Sequence, residues 1–566
     1  MDCRTQILSN DYFDVITDFS LQADVKEPCA AIIENQFRIF YYDRSIVGNT
    51  NEYFFQFRNV PKLYGLMQEG GMLAGGFDPN SLIASGITQI QREPLALTGR
   101  GVIICVIDTG IDYTNPAFRN PDGTSRILAI WDQTIQEGSP PEGFQYGTEY
   151  TKEAIDRALE AEDAYSVVPS RDENGHGSMM AGVAAGSRVS GGLTYQGAAP
   201  DADIVVVRLK ECKQYLRDFY MVPEKVPAYQ ENDIMLAVQY ADGFAVPFQK
   251  PVVICLGLGT SYGDHAGTAP LARYLDLVAV KRSRAVVLPG GNEGNALHHY
   301  QGRLGDRNGD SISVEVRVEA GNDGFIMELW GSIPDAYTVS VRSPGGETIP
   351  RIRLGVRESI TYSFVYERTR VTIAGTLADP VSGEELILLR LQDPTPGIWT
   401  FQVSAVGDIH NGVFHVWLPI SQFLSAPAYF LEPSPYVTMT DPSFAKNAIS
   451  VSTYDSDNNS FYINSGRGFS RTGDIKPDLA APGVNVSTIR GKASGSSLAA
   501  AITAGAAAQF LQWAVVEENN IVVESRGIKN YLIRGASRSF DISYPSREWG
   551  YGRLNMVGTF DALIGV

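Results

Sequence analysis

The stretch Gly101–Gly110, GVIICVIDTG, decides the fold. Val102 to Ile107 run without a polar break and stop at Asp108-Thr109-Gly110. A strand that is apolar on both sides has both faces covered, which is the habit of parallel sheets in α/β proteins. Similar runs recur outward along the chain, in ADIVVVRLK (202–210), KPVVICLGLG (250–259) and RAVVLPGG (284–291). Helical patterns at Glu231–Phe244 and Pro270–Lys281 alternate with them, so the expected core is a parallel sheet with helices on both faces. Sites in such sheets form beyond the carboxyl ends of the strands. Asp108 and the Gly290–Asn292 turn fall at such ends.

Two regions break this pattern. From about 309 to 432, ISVEVRVE, AYTVSVRSP, SITYSFVYE, RVTIAGTL, ELILLRLQDP, IWTFQVSAV and FHVWLPI alternate between turns rich in Gly, Pro and Asp. They predict an inserted antiparallel sandwich or jelly roll, because the α/β pattern resumes at NAISVSTYD near Asn447. Residues 1–80 form a separate α+β block with strand-like pieces AAIIE, FRIFYY and YFFQFRNV and a helix candidate near Ser45–Glu52. Its Gly-rich end, LMQEGGMLAGGFDPNS (66–81), reads as a linker. The expected division is 1–80, 81–308, 309–432 and 433–566.

The 566 residues carry 46 basic and 64 acidic side chains, a net charge of −18. Such a surface repels a phosphate backbone, so nucleic acid is excluded as the main partner. The five cysteines form no CxxC pair, and neither a disulfide framework nor a structural zinc site is expected. His298-His299 lacks a carboxylate or Cys at matching spacing, and no metal or cofactor is expected. The N-terminus shows no basic region followed by an apolar stretch, which predicts synthesis without export. Leu498–Val516 is long enough to span a membrane; its Ala- and Gly-rich make-up reads instead as a helix buried in the core, and no membrane contact is expected.

Three small segments carry reactive side chains. Asp108 ends a strand. His176 opens a helix of small residues in NGHGSMMAGVAAG, and Ser497 opens the apolar helix in GSSLAAAITAGAAA. Asn292 lies on a fourth, PGGNEGN. Serine is a poor nucleophile unless an imidazole takes its proton. A buried carboxylate holds that imidazole in one tautomer, and an amide side chain with a helix-terminal N–H can meet the developing oxyanion. Ser494 and Ser496 compete for the nucleophile; Ser497 is favoured because it opens the helix after Gly495-Ser496.

These segments, in the order Asp, His, Ser, resemble the subtilisin-like serine peptidases over about 81–305 and 435–566. The resemblance implies Asp108 as orienting carboxylate, His176 as general base and acid, Ser497 as nucleophile and Asn292 as oxyanion donor. It implies that Gly257-Leu258-Gly259 is the strand edge that pairs with substrate, with Pro289 and Gly290 at the specificity pocket. Ser178 and Ser496 replace the family's usual threonines and Leu498 a common methionine. Leu288-Pro289-Gly290 replaces a run of small residues in the pocket. LTGRGVIICVIDTGIDYTNPAF, RILAIWDQT, DPTPGIWTFQV and FHVWLP further resemble the Csp group, the germination proteases of spore-forming clostridia. That narrower resemblance implies a protein substrate, namely a cortex-lytic hydrolase precursor, and packaging in the spore. It also implies a prodomain, here 1–80, that is cut by the enzyme itself near 66–81 and stays bound, and a monomer is expected. The rival reading is a non-catalytic, pseudoprotease-like binding or signalling protein. An esterase would need Gly-x-Ser-x-Gly and the order Ser, Asp, His, and neither occurs.

Overall fold

The computed structural model describes residues 2–18, 29–47, 54–73, 75–189, 195–305, 309–353 and 358–564. A nine-stranded sheet forms its centre. Ile103–Asp108 lies between Val252–Leu256 and Asp203–Arg208, parallel to both. Arg284–Pro289, Ile449–Asp455 and Leu479–Pro482 extend the sheet one way and Ile127–Asp132 the other, again in parallel. Short antiparallel strands, Ser460–Phe461 and Thr148–Thr151, finish it.

The apolar run at 102–107 serves two cores. Ile104 and Val106 pack with helices His176–Ala185 and Ser496–Leu511. Ile103, Cys105 and Ile107 pack with Glu231–Gly243 and Pro270–Ala279. Every residue of Ser496–Leu511 is buried. Continued to Val516, the helix is long and apolar enough to cross a membrane, yet most of it lies inside the protein. Two of its polar side chains reach loop backbone: Gln509 Nε2 donates to Leu97 O, and Gln512 Oε1 accepts the N–H groups of Thr98 and Gly99. It is a core helix of the α/β unit.

Between His299 and Phe430 the chain forms two antiparallel sheets of six and five strands around a common core that includes Val314, Phe325, Trp399 and Phe401. The outer face of the six-stranded sheet is covered as well. Ile326, Trp330, Leu388 and Trp417 pack on Phe57, Leu63 and Met67 of the N-terminal block and on Leu216 and Tyr262. This double burial removes the alternation from Gly324–Gly331, whose eight residues are all buried, so period-two patterning passes over that strand. His265 and His299 stack on Trp417 at ring-centroid distances of 4.1 and 4.7 Å, at the junction with the α/β unit.

In the N-terminal block, Tyr12–Asp18, Phe37–Asp43 and Ala31–Ile33 form an antiparallel sheet. Ile16, Phe37 and Ile39 share the core of helix Glu231–Gly243. The buried carboxylate of Asp14 ties the two together. It accepts from Lys213 Nζ at 2.5 Å, Gln230 Nε2 at 2.6 Å and Asn232 Nδ2 at 3.2 Å.

Several expectations need correction. YFFQFRNV is a 3₁₀ helix, Phe54–Asn59, rather than a strand. Of the helix candidate at Ser45–Glu52, the described part is helical, Arg44–Val47, and residues 48–52 lie outside the described ones. The Gly-rich stretch 66–81 is no loose linker: Glu69–Leu73 pairs with Gly491–Ser494. Cys3 and Cys29 form a disulfide; two partners 26 residues apart carry no spacing motif, and only the folded block brings them together. Cys105 and Cys255 are buried free thiols, as their apolar runs imply. His298 does meet a carboxylate, Glu293 Oε2 at 3.1 Å, but no group of three metal-ligating side chains exists among the described residues.

Candidate active site

Strand ends and helix starts bring the reactive side chains together. Asp108 closes the central strand, and His176 and Ser497 sit in the first turns of the two helices that cover that face. His176 Nδ1 lies 2.7 Å from Asp108 Oδ1, and His176 Nε2 lies 2.9 Å from Ser497 Oγ. All three residues are fully buried. A carboxylate only accepts, so Nδ1–H donates to Asp108 and Nε2 is left to accept from the Ser497 hydroxyl. Burial disfavours the imidazolium, but Asp108, by charge and hydrogen bond, and Asp172 more weakly outweigh it and raise the His176 pKa above its ordinary value.

Backbone geometry fixes these positions. Gly175 precedes the histidine helix at φ +91°, a conformation that favours glycine. Asp172 then pins the helix start: Oδ1 accepts Gly175 N–H at 2.7 Å, and Oδ2 accepts the N–H and hydroxyl of Ser178 at 2.8 and 2.6 Å. Thr109 links the two parts, donating to Asp172 at 2.7 Å and accepting Gly177 N–H at 2.9 Å. No sequence signal singles out Asp172; its partner Ser178, standing where the subtilisin-like pattern has threonine, was the available hint. At Gly257 a Cβ would drive into Asp108 Oδ2 and Met180 Sδ, so only glycine lets this strand edge pass beneath the acid and the base. Asn292 Oδ1 accepts Ser496 N–H at 3.0 Å, which leaves its Nδ2 amide as the donor. Ser496 Oγ accepts Gly291 N–H at 3.2 Å and holds the same turn.

The chain's own residues fill the cleft. Leu63–Leu66 forms the middle strand of an antiparallel trio, paired with Tyr229–Gln230 on one side and Leu258–Gly259 on the other. Met67 N–H donates to Gly257 O at 2.9 Å, and Ser497 N–H donates to Met67 O at 3.1 Å. The Met67 carbonyl therefore lies at the start of the serine helix, where a helix-terminal N–H meets a partial negative charge. The Met67 side chain is buried, with its sulfur 3.8 Å from Thr440 Oγ1. Thr440 also crowds Gly259 and Gly291, where a Cβ would collide with it. Gly259 and Thr440 thus lie against the Met67 side chain, and Gly291 packs on Thr440. Pro289 and Gly290 hold the neighbouring sheet: Pro289 pairs with Val451, and Gly290 N–H donates to Val451 O at 2.8 Å. Thr440 lies just past the sandwich, far from every motif, so nothing in the sequence ties it to the pocket. From the sandwich side, Gln422 Nε2 donates to Leu66 O at 2.9 Å.

The family model of the subtilase family, peptidase family S8, matches residues 99–321 and 403–552. The serine protease AprX of Bacillus subtilis is 29% identical over 126 residues, which are 22% of this chain and 20% of that protein's length. The structure of the CspB protease of Clostridium perfringens superposes with a TM-score of 0.76 at 29% identity, covering 86% of this chain and 98% of that one. The chain belongs to the subtilase family, and so to the subtilisin-like serine endopeptidases, with CspB as a structural relative along nearly its whole length.

Proposed function

We propose that the chain is an endopeptidase that cuts its own Met67–Gln68 bond and then keeps residues up to Met67 in the cleft as a bound prodomain. The observation that carries this reading is the Met67 carbonyl, 3.1 Å from Ser497 N–H, beside a hydroxyl already hydrogen-bonded to His176. Ser497 Oγ attacks that carbonyl carbon while His176 Nε2 takes its proton. Charge collects on the carbonyl oxygen, which Ser497 N–H and the Asn292 amide stabilise. His176 then protonates the Gln68 nitrogen and the C–N bond breaks, leaving Met67 esterified to Ser497. Water attacks the ester with His176 again as base. Asp108 keeps the imidazole oriented throughout and stabilises its charged form.

Retention of the prodomain follows from the burial of Asp14 against Lys213 and from the strand pairing at 63–66. Once that segment is displaced, protein substrates would enter the same strand slot by adding a strand between two edges. Likeness to the Csp group supports a germination role, with a cortex-lytic hydrolase precursor as substrate and spore packaging after cytoplasmic synthesis. The sandwich, which covers the tail through Gln422, would clamp the α/β unit and cap the slot. The test is a denaturing gel of purified protein. Two fragments are expected from the wild type and one intact band from Ser497→Ala. Identical processing of both chains would refute self-cleavage. Absence of Ser497-dependent labelling by a fluorophosphonate, with the prodomain removed, would favour the non-catalytic reading.

A further inference from the structure

We infer that the cleft contains a buried acidic subsite that selects a basic side chain at the sixth residue before the cut, and that Lys62 is its occupant in this chain. The inference rests on the cut at Met67–Gln68 proposed above. Counting back from Met67 as the first, Lys62 is the sixth residue. Its side chain is only 5% exposed, far below what a lysine adopts without a partner.

Three carboxylates from three separate elements surround it. Glu231, at the start of helix Glu231–Gly243, has Oε2 4.0 Å from Lys62 Nζ and accepts Lys62 N–H at 3.1 Å. Glu328 comes from the sandwich strand Gly324–Gly331; its Oε2 accepts from Gly263 N–H at 3.0 Å and from the Trp330 indole at 2.9 Å. Asp441 follows the sandwich and is fully buried. A Cβ on Gly263 would stand 2.8 Å from Asp441 Oδ2 and 3.6 Å from Lys62 Cε. Both oxygens of Asp441, and Oε1 of Glu328, have no hydrogen-bond partner. Nearby Asp264 is spoken for by Thr268 and by Arg471 at 4.0 Å.

One cation therefore serves three buried acids. Burial pushes Glu328 up to about 7 and Asp441 well above the usual carboxylate range, and Lys62 opposes both shifts. The ownership of the charges is what makes this a subsite. The acids belong to the body of the enzyme, whereas the cation belongs to the segment in the cleft. When that segment leaves, the acids lose their counter-charge and must either stay ionised at a cost or take up protons. An incoming chain with Lys or Arg at the sixth position relieves the cost; one with an apolar or acidic residue there does not. The selected ligand is an extended peptide with an ammonium or guanidinium five residues before the acyl residue.

Self-cleavage of the full chain is the assay, read as the rate at which the Met67-ended fragment appears by mass spectrometry. Folding is checked by melting each variant in the Ser497→Ala background. Lys62→Met should slow cleavage roughly 30-fold or more, since truncating one partner of a buried charge group strands the others. Lys62→Arg should recover at least about 10-fold of that loss. Adding Asp441→Asn to Lys62→Met should also recover cleavage, about 5-fold or more, by replacing a buried acid that has no hydrogen-bond partner with an amide that never ionises. If Lys62→Met aggregates, the double variant decides: soluble, cleaved protein supports the subsite, and continued aggregation overturns it. Lys62→Met cleaving at the wild-type rate overturns the subsite alone. An uncut wild-type chain overturns the peptidase reading beneath it.

Discussion

The segment in the cleft has two unequal halves. On the acyl side, Val60 to Met67 is buried throughout, with backbone contacts to three layers: the Tyr229–Gln230 strand, the Leu258–Gly259 strand and the sandwich. On the leaving side, Glu69–Leu73 pairs with Gly491–Ser494 through a shifted register, and Gly70 is exposed. The difference teaches which half would stay in the cleft. On the proposed cut, the acyl half would keep its two strand partners and the Asp14 anchor, whereas the leaving half, still joined to the enzyme as its new N-terminus, would keep one interrupted edge.

The largest effect should come from the residues that act on the bond between the halves. Ser497→Ala or His176→Ala should lower the self-cleavage rate by roughly 10⁴–10⁶, as in subtilisin, measured by the appearance of fragments. A loss below 10-fold would break the link between this hydroxyl and the cut. Trp417→Ala should come next. It removes the ring on which His265 and His299 stack and the indole that donates to Val437 O at 3.0 Å. A buried Trp→Ala change costs about 3–5 kcal/mol, so the melting temperature of the Ser497→Ala chain should fall clearly; an unchanged melt would show that the sandwich does not clamp the α/β unit.

Asp14→Ala leaves Lys213 buried without its counter-charge, and breaking a buried pair costs about 3–5 kcal/mol. After cleavage the prodomain should then elute separately on size exclusion, while the wild-type pair co-elutes. Co-elution of both would shift the anchoring role to the 63–67 strand. Self-cleavage should also rise with pH. Only neutral His176 accepts the serine proton, and its pKa is raised by Asp108 against the effect of burial. The midpoint should therefore lie above the ordinary histidine value of about 6.5; a midpoint below it would contradict the site's electrostatics. The smallest effect belongs to the leaving half. Gln68→Ala should change the rate less than about 3-fold, because Gln68 is only half-buried, unlike the fully buried acyl side, and substitutions away from the core are mild.

The same contrast explains what could be read in advance. Parallel strands such as Val102–Ile107 are continuous apolar runs, and the helices that cover them begin with Gly-His-Gly and Gly-Ser-Ser, so the sheet and its three reactive side chains were legible from local pattern. The strand Gly324–Gly331 was not, because burial on both faces erased its alternation. The Gly-rich tail read as a linker because its order is borrowed: Leu63–Leu66 and Glu69–Leu73 are strands only because enzyme edges pair with them. Asp172, Thr440 and Lys62 escaped notice for the same reason. Each acts through a partner remote in sequence or outside any motif, and the disulfide between Cys3 and Cys29 likewise needs the folded block to exist.

The most direct measurement is N-terminal sequencing, with mass spectrometry, of the fragments formed by the purified wild-type chain. The expected result is a large fragment beginning at Gln68 and a small one ending at Met67, both absent from Ser497→Ala. A chain that stays whole under conditions where it is folded, or one whose first cut lies elsewhere than Met67–Gln68, would contradict the central claim that this peptide bond is held ready for Ser497.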